Sequence, residues 1–429
     1  MDKIKKYCFI FLILVLFIPI IQRFIKFHKS EPLEGLNAPV HFPTFHYKDW
    51  KEGTYQNLVE NYVAGNFGFR NSLVRAINNI DYWIFKTSNT DEVVIGKDRH
   101  LFFDYNIERY LGIKKQNENE IDSLFVITDS LITNLNEHGV EFIFVITPSS
   151  AFYYNDKFPK QYDSYKPRPN DYEYYVKKLE EYNINYIDFN KWFLDIKDTV
   201  SIDLFPKNGT HYTYFSAVWV ADSLLKYMEN LKDIDIPDII TDDYVIDSMR
   251  PNEHDLENIL NLSSPLDNEK MIYYNLKFET AGKDKPKVLT VGDSFYWTIL
   301  NQLIPLNCFS NVEYWFYNIQ VFPESFTNEK HPGEVDLDSL FNNLDFIVVY
   351  SSSTLLHNYD YTGFIGQILN YFTDDYTVTK ENSGIQYWIN AIKNNPEWLN
   401  AIEKKALNHN IPVETQIRRE AEWMLKQQQ

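Results

Sequence analysis

The sequence predicts an α/β fold, a doubly wound and mostly parallel sheet with helices on both faces, carried between an N-terminal membrane anchor and a C-terminal helical appendage. Three observations predict it. Short runs that are apolar on both faces alternate with long amphipathic segments, the signature of βαβ units. A basic start leads into an uncharged apolar stretch. The last forty-odd residues change to two helical patterns, each opened by a proline.

The elements follow in order. Lys3, Lys5 and Lys6 precede an uncharged apolar stretch from Tyr7 to Ile21, which Phe24 and Ile25 extend past Arg23. Residues 1–29 read as an export signal or anchor. Gln22 to Lys29 is bulky and basic and offers no small-residue cleavage site, which favours a retained signal anchor. Residues 30–54, with Pro32, Pro39 and Pro43 among polar side chains, suit a linker. The α/β domain is expected over 55–385. It begins with Leu58, Tyr62, Leu73, Ile77, Ile80 and Ile84 at helical spacing, interrupted at Gly65 to Gly68, which predicts two helices about a glycine turn. Val93 to Lys97 and His100 to Phe103 predict two short strands.

A helix over Ile121 to His138, packing through Leu124, Ile127, Leu131 and Leu135, feeds the run Glu141 to Thr147, which Pro148 ends. Such a run is what a strand inside a parallel sheet looks like. Comparable runs are Asn185 to Asp188, Lys287 to Val291 and Leu344 to Tyr350. Sheets of this kind place ligands at the carboxyl ends of their strands. Residues 386–429 are expected to form the appendage, with helices over Pro396 to Ala406 and Pro412 to Gln427.

Composition narrows the function. The chain of 429 residues carries 41 basic and 60 acidic side chains, a net charge of -19 that repels phosphate backbones, so nucleic acid is not an expected partner. Its 31 Tyr, 31 Phe and 9 Trp supply ample surface for a folded core. The two cysteines, Cys8 and Cys308, are not placed to pair within the folded part. No HExxH or CxxC spacing occurs, and neither a metal nor a cofactor is expected.

The sharpest motif is Val288-Leu-Thr-Val-Gly-Asp-Ser-Phe295, a buried strand ending in Gly292, Asp293 and Ser294 before an apolar segment. Ser294 is expected at a helix N-terminus, where free backbone N–H groups and the helix dipole can stabilise an oxyanion. Gly292 permits the tight turn, and Asp293 is expected to brace the elbow. The bland reading of Ser294 is a helix cap. A serine hydroxyl needs a base to take its proton. His211, in the polar loop Leu204 to Thr213 ahead of a helix over Tyr214 to Leu231 that Thr213 would cap, is the candidate. Without a partner it would be one more solvated histidine. The cluster of Tyr314, Trp315, Phe316 and Tyr317 suits core packing or the floor of a sugar groove, where Trp315 and Tyr317 would touch substrate and Asn318 would donate to an oxyanion. Arg70 suits an anionic substrate group or an ion pair that anchors its helix.

Together these pieces resemble the SGNH-hydrolase-like family of alginate O-acetyltransferases of bacterial cell envelopes. The resemblance rests on Gly292-Asp-Ser-Phe295 and the upstream Gly209-Thr-His-Tyr-Thr213. It extends to Phe67-Gly-Phe-Arg70, Val94-Ile-Gly-Lys97 with Leu101-Phe-Phe103, Leu204-Phe-Pro-Lys207 and Asn395-Pro-Glu-Trp398. It implies an SGNH-like domain at the periplasmic face of the inner membrane, held by a single-pass anchor. Ser294 would be the nucleophile and His211 the general base, passing acetyl to a polysaccharide hydroxyl beside a membrane-bound O-acyltransferase that supplies it. One departure matters: the family's usual motif has Asp two residues before the histidine, and here Gly209 stands there. That leaves a Ser-His dyad, a triad completed by another carboxylate such as Asp203, or a protein that binds a glycan or a membrane partner without chemistry. A simple esterase would differ only in its acyl acceptor.

Overall fold

The computed structural model describes residues 2–27, 29, 31–35, 41–90, 92–266, 269–356 and 361–372, with 388–389, 392–393, 396–409, 413 and 416–421 towards the C-terminus. The chain divides into two compact units. One comprises Met1–Asp104, Lys207–Gly209 and His254–Asn268, the other Tyr105–Pro206, Thr210–Glu253 and Glu269–Gln429. The boundaries expected at 29/30 and 54/55 therefore fall inside the first unit.

In the first unit the apolar start forms a helix, Asp2–Ile25. Its segment Lys3–Ile25 is the one helix among the described residues long and apolar enough to cross a membrane. The expected linker contains a short helix, Tyr47–Glu52, which Gly53 ends with a φ of 84° and an N–H donated to the Trp50 carbonyl. Helices Thr54–Asn66 and Arg70–Ile80 follow on either side of Gly68, and the second runs on into a π-helical turn, Asp81–Phe85. Strands β1 (Val93–Ile95) and β2 (Leu101–Phe103) pair antiparallel. Val93 and Leu101 pack with Tyr82, Leu256, Leu260 and Leu266 in a small core.

The second unit holds strands β3 (Glu141–Thr147), β4 (Tyr186–Asp188), β5 (Asp238–Ile240), β6 (Tyr244–Ser248), β7 (Lys270–Tyr274), β8 (Lys277–Glu279), β9 (Val288–Gly292), β10 (Glu313–Phe316), β11 (Gln320–Phe322) and β12 (Phe346–Ser352). Six of them form the main sheet in the order β11-β10-β9-β12-β3-β4. All its pairings are parallel except that of β10 with β11. Residues two apart on a strand share a face, and both faces of this sheet are apolar. Ile143, Val145, Phe346, Val348 and Tyr350 face a layer that includes helices Phe189–Ile196 and Tyr214–Lys232. Phe142, Phe144, Ile146, Ile347 and Val349 face the opposite layer, with helices Glu118–Glu137, Asp171–Glu181 and Tyr361–Phe372. This is the doubly wound arrangement the apolar runs predict.

The sequence reading lacks six of these strands. β5 pairs with β8 and β6 with β7 as small antiparallel ribbons, and β6 is exposed along its whole length, its apolar run limited to Tyr244-Val-Ile246. β10 and β11 hide inside the aromatic cluster. Towards the C-terminus, helix Pro396–His409 begins at its proline as expected. Ile392, Ile402, Ile417 and Ala421 share a core there, while most of the predicted second helix lies outside the described residues.

Candidate active site

Strand β9 ends where β12 comes closest. A Cβ on Gly292 would lie 2.6 Å from the Tyr350 carbonyl oxygen and 2.8 Å from the Tyr350 Cβ, so the strand must end in glycine. The chain then turns through Asp293 into a 3-10 turn, Ser294–Tyr296, and a four-residue helix, Trp297–Leu300. That helix is shorter than the apolar pattern predicts, because Leu303 adopts a left-handed conformation (φ 59°) before Pro305.

Asp293 braces the elbow. It is fully buried, and its two carboxylate oxygens accept the N–H of Phe295 at 3.0 Å and the N–H of Ser352 at 2.7 Å. Its own carbonyl accepts the Tyr314 hydroxyl at 2.5 Å. Burial pushes the carboxyl up to about 7, against the pull of those two N–H groups and of the His211 charge.

His211 reaches the same edge from the loop before helix Tyr214–Lys232. Thr213 caps that helix through Ser216 N–H and ties the loop back by donating its own N–H to the Leu204 carbonyl at 3.0 Å. The neighbouring Tyr212 is wholly buried, packed against Phe193, Phe205 and Phe295, and its hydroxyl meets that of Tyr350 at 2.5 Å. Strand β12 thus positions both halves of the site, holding Asp293 through Ser352 and the histidine loop through Tyr350.

The result is a contact of 2.8 Å between His211 Nε2 and Ser294 Oγ. The imidazole is 7% exposed and lies against the Phe295 ring at 4.8 Å, whereas Ser294 is half-buried, so the hydroxyl can be approached from solvent. In that geometry Nε2 can accept the serine proton, provided the ring carries its own proton on Nδ1.

The remaining predicted residues divide. Tyr317 and Asn318 form the turn between β10 and β11, both left-handed (φ 51° and 53°), as a type I′ turn requires. Tyr317 donates its N–H to the Gly292 carbonyl at 2.8 Å, and its hydroxyl is hydrogen-bonded to Ser294, through both side chain and backbone. Burial raises that hydroxyl to about 12, so it stays protonated. Asn318 Oδ1 is buried and accepts no hydrogen bond among the described residues. Trp315 is not a groove residue: it is wholly buried, stands edge-on to Phe364 at 5.8 Å and donates its indole N–H to Glu313. It belongs to the core because β10 is an inner strand whose faces are both covered. Asp203 is exposed, and its charge acts on Tyr153 and Tyr154. Arg70 opens its helix in the first unit, and its side chain makes no ion pair among the described residues. The sequence does not single out Tyr212, Tyr350 or Ser352, and it marks Tyr314 only as a member of the aromatic cluster.

Residues 93–296 match the family model described as "SGNH hydrolase-like domain, acetyltransferase AlgX". No curated protein sequence matches the chain. Among solved structures it is similar to the O-acetyltransferase domain of Pseudomonas putida AlgJ (18% identity, TM-score 0.40), over 65% of this chain and 99% of that one. It is also similar to Pseudomonas aeruginosa AlgX (11%, TM-score 0.44; 66% and 69%) and to Bacillus cereus PatB1 (14%, TM-score 0.39; 62% and 97%). Residues 93–296, which carry the strand, the elbow and the serine, are thus similar to the SGNH hydrolase-like acetyltransferase domain of AlgX.

Proposed function

We propose that this protein O-acetylates an exported or cell-surface polysaccharide through a serine acyl-enzyme. The observation that carries the reading is the 2.8 Å contact between His211 Nε2 and Ser294 Oγ at the carboxyl edge of the sheet. His211 takes the hydroxyl proton as Ser294 attacks the acetyl carbonyl, and the tetrahedral intermediate collapses as His211 returns the proton to the leaving group. A sugar hydroxyl then attacks the acyl-enzyme, with His211 again the base. Backbone N–H groups at the Ser294 turn, with Asn318 from the β10–β11 turn, are the oxyanion donors offered.

The site works as a Ser-His dyad in this reading. Gly209 supplies no carboxylate, and Asp203 is left as an alternative orienting group. Asp293 supports the imidazolium through its charge, which acts on His211. Tyr317 touches the nucleophile and is positioned to meet substrate there. The apolar helix Lys3–Ile25 serves as a single-pass anchor in a bacterial inner membrane, with the domain in the periplasm beside an acyltransferase that delivers acetyl groups. Gly209 favours the second reading, a catalytically silent protein that holds a glycan or that partner.

The test uses the full chain in detergent with a chromogenic acetyl ester. Ser294→Ala and His211→Ala should each lower turnover by about 10³-fold or more. Equal rates in all three proteins would leave only the binding role. Acetylated product on added oligosaccharide separates transferase from esterase.

A further inference from the structure

The helix Arg70–Ile80 is amphipathic in the wrong sense for a soluble protein. Its polar side faces inward. Asn71 Nδ2 donates to the Glu31 carbonyl at 3.0 Å, Arg75 to the carbonyls of Glu31 at 2.9 Å and Pro32 at 2.6 Å, Asn78 to that of Leu260 at 2.8 Å, and Asn79 to Ser263 Oγ at 2.8 Å. Its apolar side faces outward. Leu73, Ile77, Ile80 and Ile84 recur at helical spacing and are 45%, 52%, 48% and 68% exposed, and Trp83 and Phe85 of the π-helical turn extend the same exposed surface. Hydrophobic driving force alone would have turned that face into a core.

What covers it is indicated by where the helix begins. Gly68, two residues before its start, packs on the closing turns of the apolar helix: a Cβ there would lie 2.7 Å from Gln22 Cβ and 2.9 Å from the Arg23 nitrogen, and nearer still to the Pro19 carbonyl. Arg23 Nη2 donates to the Tyr62 hydroxyl at 3.0 Å, and Phe27 meets Phe69 edge-on at 5.6 Å. From Pro19 to Ile25 is about 9 Å of helix at ~1.5 Å per residue, so the amphipathic helix starts level with the last turns of the apolar one. If Lys3–Ile25 spans a bilayer, that is the depth at which interfacial helices lie, about 5–10 Å into the boundary between headgroups and acyl chains.

We propose that helix Arg70–Ile80 and the turn Asp81–Phe85 lie in the outer membrane–water interface, with Leu73, Ile77, Ile80, Trp83, Ile84 and Phe85 in lipid. Trp83, with the Arg99 guanidinium 5.9 Å from its ring centre, has the composition of an interfacial anchor. Arg70, which makes no ion pair among the described residues, faces lipid phosphate in this placement. The inference rests on the anchor reading above and adds to it: the first unit is held flat on the bilayer by a second element, not tethered by one helix.

The test places a single environment-sensitive fluorophore on the full chain, in a Cys8→Ser background where Cys308 is buried and does not react, at Ile77→Cys or Ile84→Cys. The proteins are reconstituted in phosphatidylcholine vesicles with or without bromine on the upper acyl chain. The expected result is that bromine lowers emission at both positions by roughly half or more, since the proposed depth overlaps the quencher. The same label on native Cys8, read against deeper bromines, reports the anchor separately. Quenching at Cys8 with none at Ile77→Cys and Ile84→Cys overturns the proposal and leaves the anchor standing. Silence at Cys8 overturns the anchor reading, and the two interfacial labels then decide the proposal by themselves. Because the vesicles contain no other protein, a face made for a second protein gives no quenching and counts against it.

Discussion

Replacing Gly292 by alanine tests the mechanical core of the site. The added methyl carbon would lie 2.6 Å from the Tyr350 carbonyl oxygen and 2.8 Å from the Tyr350 Cβ, whereas ordinary contact begins at 3.4 Å. Strands β9 and β12 must therefore open by about 0.6–0.8 Å at their last shared rung, where Gly292 is paired with Tyr350. Neither side yields cheaply. Asp293 N–H is donated to the Tyr350 carbonyl at 3.1 Å, and the Tyr350 ring is buried with its hydroxyl on Tyr212. Overpacking of this kind costs about 1–3 kcal/mol, which corresponds to a fall of about 2–10 °C in the unfolding midpoint. The same displacement carries Ser294, two residues on, and reaches His211 through Tyr212. A contact of 2.8 Å lengthened by that amount passes beyond hydrogen-bond range. Misplacement on this scale costs up to about 10²-fold in rate. Thermal unfolding and acetyl-ester turnover measured on one preparation should fall together. A Gly292→Ala protein with wild-type midpoint and turnover would refute the view that the approach of β12 sets the nucleophile.

Two further predictions concern buried carboxylates. Asp293, held near 7 in the fold against 3.8 when unfolded, binds a proton in the native state between those values that the unfolded chain has lost. Stability should therefore decline as pH rises from about 4 to about 7, by roughly 4 kcal/mol at about 1.4 kcal/mol per unit. Urea midpoints of wild type and Asp293→Asn across that range should converge or cross accordingly, and a difference independent of pH would contradict it. Glu253, wholly buried, accepts Tyr214 N–H at 3.0 Å, Arg250 N–H at 2.9 Å and the Tyr273 hydroxyl. Glu253→Ala strands those donors and should cost about 2–4 kcal/mol, with partial recovery in Glu253→Gln. A loss below about 0.5 kcal/mol by denaturant unfolding would show that water replaces the carboxylate.

Local sequence determined the central strands, the elbow and the two side chains, Ser294 and His211, that meet at 2.8 Å. β3, β9 and β12 are apolar on both faces because helices cover both, and that demand is written residue by residue. The Gly-Asp-Ser turn is equally local. The strands it did not reveal have other causes: β6 lies exposed, and β10 and β11 are two short segments reversed by the left-handed pair Tyr317 and Asn318 inside one aromatic run. Tertiary structure alone decided that Trp315 is core, that Tyr317 touches Ser294, and that 83 residues of separation close to 2.8 Å between His211 and Ser294. The reason is physical. Burial on both faces is a property of a segment and leaves a pattern in it, whereas the meeting of two loops depends on a third strand, β12, whose Tyr350 and Ser352 hold them without resembling a site at all.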